Sequence, residues 1–172
     1  MNILPLPMPK FVIKMAAPAA ELMVGVPTVR DFYRCLTDTD KVRTADDILF
    51  RYGDENVNYP FSKVTAAEFL KVYADAILGY RDENLDIMKV PATIDFGGDK
   101  KPPFPVITSG RDMVYQYSGL NFREQCDLAI TEYWILLADA IKTECAKTAK
   151  GREFLENAYV DMHRISTLEG NL

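Results

Sequence analysis

A mainly α protein, α+β at the margin, is what this sequence predicts. Three observations carry that expectation: apolar residues recur at helical spacing in both halves, cap residues precede several of those runs, and regular patterning breaks down only in a proline- and glycine-rich centre. The expected architecture is an extended Pro-rich arm over 1–25 and a single mostly helical domain over 26–172. That domain carries an irregular insertion at 81–109 and ends in a C-terminal helical hairpin.

The opening from Met1 to Lys10 places Pro5, Pro7 and Pro9 among apolar residues. Proline fixes its own φ and pushes the preceding residue toward extended geometry, so an arm is expected there and not a helix. Phe11 to Met15 is a short candidate strand. Met23 to Val29 is apolar but broken by Gly25 and Pro27. Thr28 then caps a helix with Phe32, Tyr33 and Leu36 on one side. Thr44 is the expected cap of the next, with Asp46 and Asp47 in its first turn and Gly53 as its stop. Asp54 to Phe61 reads as a polar and aromatic loop.

Thr65-Ala-Ala-Glu68 has the form of a capping box, followed by Phe69, Leu70, Tyr73, Ala76, Ile77 and Tyr80. That series marks an amphipathic helix. From Arg81 to Ser109 prolines and paired glycines alternate with short β-like pieces, which suits either a short β-hairpin or an irregular loop. Arg111 to Tyr117 reads as a short helix ending at Gly119, and Asn121 opens another. Ile130 to Lys147 is a long helix, apolar over more than half its circumference, so it belongs to the core or to an interface. Thr148 begins the last helix, whose stripe is Phe154, Leu155, Ala158, Tyr159 and Met162.

At 172 residues, with 48% hydrophobic and 26% charged residues, the chain is long enough to bury a core without metal or disulfide staples. The formal charge of -5 and the lack of a Lys/Arg-rich run point away from nucleic acid. Cys35, Cys126 and Cys145 match no zinc spacing and cannot pair completely, so reduced, buried thiols are expected. The stretch before Ala16 holds prolines and lysines, unlike a signal peptide, and no apolar run reaches the roughly 18 residues of a membrane span. A cytoplasmic protein is the expectation.

No catalytic, cofactor-binding or metal constellation is legible, so a non-enzyme without cofactor is expected. His163 is the sole histidine and sits near the end of the final helix, without an orienting partner or nucleophile in its neighbourhood. The acidic group Asp82, Glu83 and Asp86 lacks EF-hand spacing and reads as a solvated turn. Asp95-Phe96-Gly97 spells a kinase triplet without the other kinase elements. Gly97-Gly98 lacks the surroundings that cradle phosphate. The aromatic concentration of Tyr115, Tyr117, Phe122, Tyr133 and Trp134 is explained by core packing or by a partner-binding patch.

The segment from Cys126 to Tyr159 contains Tyr133, Trp134, Leu136, Leu137, Asp139 and Ala140, an "LLxDA" phrase on an aromatic-rich helix. It continues with Thr148, Gly151, Arg152, Glu153, Phe154, Leu155, Glu156, Asn157, Ala158 and Tyr159, a "TxxGRE[FY]LENA[WY]" phrase. These residues resemble the C-terminal helical part of tail assembly chaperones of tailed bacteriophages. The resemblance covers about a fifth of the chain, and the residues before Cys126 depart from it. It implies a protein of the host cytoplasm that keeps the long, apolar tape-measure protein soluble and brings tail-tube subunits to it. Helix-in-groove contacts would then fall on Tyr133, Trp134, Leu137, Ile141, Phe154 and Tyr159. Two other readings stand beside it: a structural or adaptor subunit of a virion (neck, connector or baseplate), reaching neighbours with its arm and its 81–109 loop, and a small enzyme outside familiar motifs. Homo-oligomerisation is left open by the sequence.

Overall fold

The computed structural model describes residues 8–54, 58–85 and 110–157. It is mainly helical with one two-stranded antiparallel hairpin, in the chain order β1 (Phe11–Ala16), β2 (Ala19–Val24), α1 (Val29–Thr37), α2 (Lys41–Tyr52), α3 (Lys63–Asn84), α4 (Gly110–Ser118), α5 (Phe122–Asp127) and α6 (Ile130–Ala146). Residues 149–157 are helical as well. Of the irregular insertion expected at 81–109, residues 81–84 continue α3, with Asp82 and Glu83 on the helix, and 86–109 lie outside the described residues, as do the end of the last helix with Tyr159 and Met162, and His163. The chain divides into two compact units, one drawn from Met1–Asp86 and Arg123–Tyr133, the other from Ile87–Phe122 and Trp134–Leu172. A single domain was expected over 26–172. The division passes through α5 and α6, where no linker composition marks it.

In the first unit, the segment assigned to an arm folds back on itself. Strands β1 and β2 pair from Phe11 opposite Val24 to Ala16 opposite Ala19, turning at Ala17–Pro18. Alternation does the rest: Phe11, Ile13, Met15, Leu22 and Val24 are buried, while Val12 and Lys14 face outward. The second strand carries little β signal at its Ala19-Ala20-Glu21 start, and its pairing with β1 supplies what local preference does not. The amide of Gly25 donates to the Tyr52 carbonyl (2.7 Å) and that of Asp54 to the Met23 carbonyl (3.2 Å), so the end of α2 adds a rung beside β2.

Helix α3 is the spine of this unit. It buries Ala66, Phe69, Leu70, Tyr73, Ala74 and Ile77, and packs on α1, α2 and β1. Its cap is Ser62, three residues before the one expected. The Ser62 side chain accepts from the Thr65 amide, and the Thr65 hydroxyl oxygen accepts from the Ser62 amide. A chain of ring contacts runs Tyr59–Phe61–Phe69–Tyr73–Phe11–Tyr80, with Phe69 and Tyr73 stacked at 5.8 Å. Tyr73 donates its hydroxyl proton to the Gly25 carbonyl at 2.5 Å, which ties the helix to the end of the hairpin. Ahead of α1, Thr28 pairs with Ala129, Val29 donates to the Leu128 carbonyl and Ile130 donates to the Pro27 carbonyl, which draws 123–133 into the unit.

Helix α1 departs from expectation in its buried face and α2 in its start. Thr28 does cap α1, but Tyr33 and Leu36 are exposed, and Asp31, Phe32 and Cys35 face inward. Asp40 caps α2, one turn before Thr44, which is fully buried inside the helix.

In the second unit α4 buries Val114 and stops at Ser118, followed by Gly119 at φ +77°, a conformation that favours glycine. The part of α6 that belongs here buries Trp134, Ala138, Ala140, Ile141 and Cys145. Among the described residues no helix is long and apolar enough to cross a membrane.

Candidate interaction surface

The phrase Thr148 to Arg152 builds a corner between α6 and the helix that follows. The Thr148 and Lys147 amides donate to the Cys145 carbonyl (3.2 Å) and the Glu144 carbonyl (3.1 Å), which closes the end of α6. The Thr148 hydroxyl oxygen accepts from the Gly151 amide at 3.0 Å and the Thr148 carbonyl accepts from the Arg152 amide at 3.0 Å, which starts the next helix. Gly151 lies so close to α6 that a Cβ there would stand 2.1 Å from the Cys145 carbonyl oxygen. Arg152 reaches back with Nη1 to donate to the Ala146 carbonyl at 2.9 Å, a cation on a helix C-terminus. Each conspicuous residue of the phrase has a backbone task.

The residues expected to contact a partner divide by burial. Tyr133, Trp134 and Ile141 are buried within the chain, so core packing accounts for them. Leu137 and Phe154 are half-buried and keep apolar surface open, as do Leu136 and Leu155. Tyr159 lies outside the described residues. The reason is the breadth of the apolar face: α6 presents more hydrophobic positions than one partner face needs, and those toward its centre are enclosed first.

The same split separates the aromatic concentration. Tyr115, Tyr117 and Phe122 are exposed, at 56%, 46% and 57%, while Tyr133 and Trp134 are not. The Arg111 guanidinium lies 4.4 Å from the centroid of the Phe122 ring, a cation–π contact on the surface of the second unit. Phe50 of α2, in the first unit, is the most exposed of the large apolar residues described.

Compared with known proteins, the chain matches no family model, no curated protein and no solved structure.

A polar network in the first unit was not anticipated. Asp31 is buried, and three donors converge on its carboxylate: Arg34 Nη1 at 3.2 Å on Oδ1, Arg51 Nη1 at 3.1 Å and the Tyr52 hydroxyl at 2.8 Å on Oδ2. Arg34 Nη2 donates to Asp47 at 2.8 Å, and the Thr44 hydroxyl donates to Asp38 at 2.7 Å. The pairs 31–51, 34–47 and 38–44 run in opposite chain directions, so α1 and α2 are zipped antiparallel along one seam. The signal lay in the sequence: Asp31, Arg34 and Asp38 and then Thr44, Asp47 and Arg51 each follow i, i+3, i+7 spacing, with complementary groups in reverse order.

The chemistry of this seam is structural. The Asp47 carboxylate, above all, holds the Arg34 guanidinium in its charged form and raises its pKa. The Thr44 hydroxyl, followed by the Asp40 amide, lowers that of Asp38. Burial, with the Asp31 charge second, pushes the Cys35 thiol up to about 12, and burial also raises Cys145. Thiols held neutral in this way are poor nucleophiles and poor metal ligands. Among the described residues no group of three or more His, Cys, Asp or Glu is placed to hold a metal ion.

Proposed function

We propose that this chain works by protein contact, as a tail assembly chaperone of a tailed bacteriophage that binds tape-measure and tail-tube proteins in the host cytoplasm. The observation that carries the proposal is the 126–159 segment. Its residues resemble the helical part of such chaperones, and α6, the corner at 147–148 and the helix at 149–157 follow that phrase in order. Half-buried Leu137 and Phe154 supply apolar surface for an amphipathic helix of the partner, work that needs no reaction chemistry. Co-expression with a tape-measure fragment tests the reading directly. A several-fold rise in the fragment's soluble fraction is expected, and an unchanged pellet beside a folded, soluble chain would count against it.

A virion adaptor is the second reading, favoured by the exposed Tyr115, Tyr117 and Phe122 within eight residues of one another, a composition suited to a permanent neighbour. Most of the arm this reading uses, Met1 to Lys10, lies outside the described residues. Mass spectrometry of purified mature particles separates the two: stoichiometric presence supports the adaptor and absence supports the chaperone.

A further inference from the structure

We propose that Arg152 is a positioning residue, which locks the corner between α6 and the helix at 149–157 so that a partner meets the two helices at one set angle. This deepens the chaperone reading and rests on it. Three contacts meet at the corner, and each ends on a backbone group. The Thr148 hydroxyl is used on the Gly151 amide, Gly151 is pressed against the Cys145 carbonyl, and the Arg152 guanidinium covers the Ala146 carbonyl. The last of these is decisive, because the final carbonyls of a helix have no partner within it. A cation carried by the next helix supplies that partner, and so couples the end of one helix to the first turn of the other. A threonine cap alone would start a helix in any direction. The close approach at Gly151 and the reach of Arg152 select one.

The phrase that resembles the chaperones is therefore read as architecture, with the contact surface on its flanks. On that view Arg152 is exposed yet does not touch the partner, and its loss weakens binding only through the corner.

The test uses the full chain and the same tape-measure fragment, with Arg152→Ala and Arg152→Lys. Amide exchange on the chain alone reads the corner, and fragment solubility reads the partner. Arg152→Ala should speed exchange at the Gly151 and Arg152 amides by roughly fivefold, the scale of one lost hydrogen bond. Helix content should stay at the wild-type level, and the soluble fragment should fall in proportion. Arg152→Lys, which still places a donor near the carbonyl, should recover most of both. Unchanged exchange in Arg152→Ala overturns the inference whatever the partner does. Loosened amides with full fragment solubility overturn it too, since the corner would then not matter to binding. Equal loss in both variants with protected amides would make Arg152 a contact residue. A wild-type chain that leaves the fragment insoluble removes the chaperone reading and the corner's role in it, while the exchange data still report the lock.

Discussion

Helices α3 and α4 pose the same problem to the chain and solve it differently. Both are amphipathic, but α3 buries six residues among the hairpin and two neighbouring helices, whereas α4 fully buries only Val114 and shows Tyr115 and Tyr117 to solvent. Their units differ in the same sense. In the first, helices are joined by side chains, through an aromatic chain and a charged seam whose donors and acceptors meet one another. In the second, α6 and its successor are joined at the corner by the Thr148 and Arg152 side chains, each of which ends on a backbone group. Both units expose large apolar residues, Leu36, Phe50 and Val64 among those of the first, but only in the second do three of them, Tyr115, Tyr117 and Phe122, fall within eight residues of one another.

The sharpest way to break this contrast is Asp31→Ala. Removing the carboxylate takes one partner each from Arg51, from Arg34, which keeps Asp47, and from the Tyr52 hydroxyl, which keeps Thr28; a broken buried pair costs on the order of 3–5 kcal/mol. The lower end is expected because Arg51 is half exposed and can rehydrate. Urea unfolding should show the midpoint falling accordingly, with exchange faster throughout α1 and α2 while α6 amides past Trp134 keep their protection. Equal loosening of both regions would erase the distinction.

Gly151→Ala probes the other lock. The added methyl meets backbone that cannot rotate away, so a cost of about 1–3 kcal/mol is expected. Thermal melts should register it, and exchange should rise at 145–152 and not in α3. A wild-type melting curve would mean that the corner opens without consequence.

Acid should act on the seam before the corner. Asp38 has a folded pKa below its ordinary value, mainly through the Thr44 hydroxyl, so its contribution is present above the usual carboxylate range and is lost as pH falls through the lowered folded value. Thr44→Val removes the main cause. Its melting temperature should then depend less steeply on pH on the acid side than that of the parent protein, and parallel curves would refute the assignment.

The smallest effect belongs to the surface pair Lys10–Asp54, at 2.5 Å but with both side chains largely solvated. Lys10→Met should change stability by less than about 1 kcal/mol, and by less still in high salt. A larger loss would show that the hairpin is held by this pair and not by its buried face.

Much of the secondary structure was legible because it depends on local chemistry. Thr28 and Gly53 stand at helix ends as read, and α4, α5 and α6 fall where periodicity places them. The misreadings share one cause. Thr44 and Thr65 look like caps, but Asp40 and Ser62, also good caps, lie three or four residues upstream, and the helices extend back to them. Local preference cannot rank two adequate caps; the threonines are instead used as partners, Thr44 on the Asp38 carboxylate and Thr65 in the box with Ser62. The candidate contacts were legible only as a set. Spacing placed Tyr133, Trp134, Leu137 and Ile141 on one broad apolar helix, and only burial separated the enclosed from the half-open.

By itself the sequence determined the helical class, the order of most helices, the acidic balance and the buried, reduced character expected of Cys35, Cys126 and Cys145. These follow from composition and from periods of a few residues. Only the tertiary structure decided that 11–24 is a hairpin in the core, that Asp31 is the centre of a buried network, and that Gly151 and Arg152 lock a corner. Each depends on groups far apart in sequence or on a backbone approach of a few ångströms. A one-dimensional pattern encodes which residues prefer to be buried, and it does not encode which of them meet.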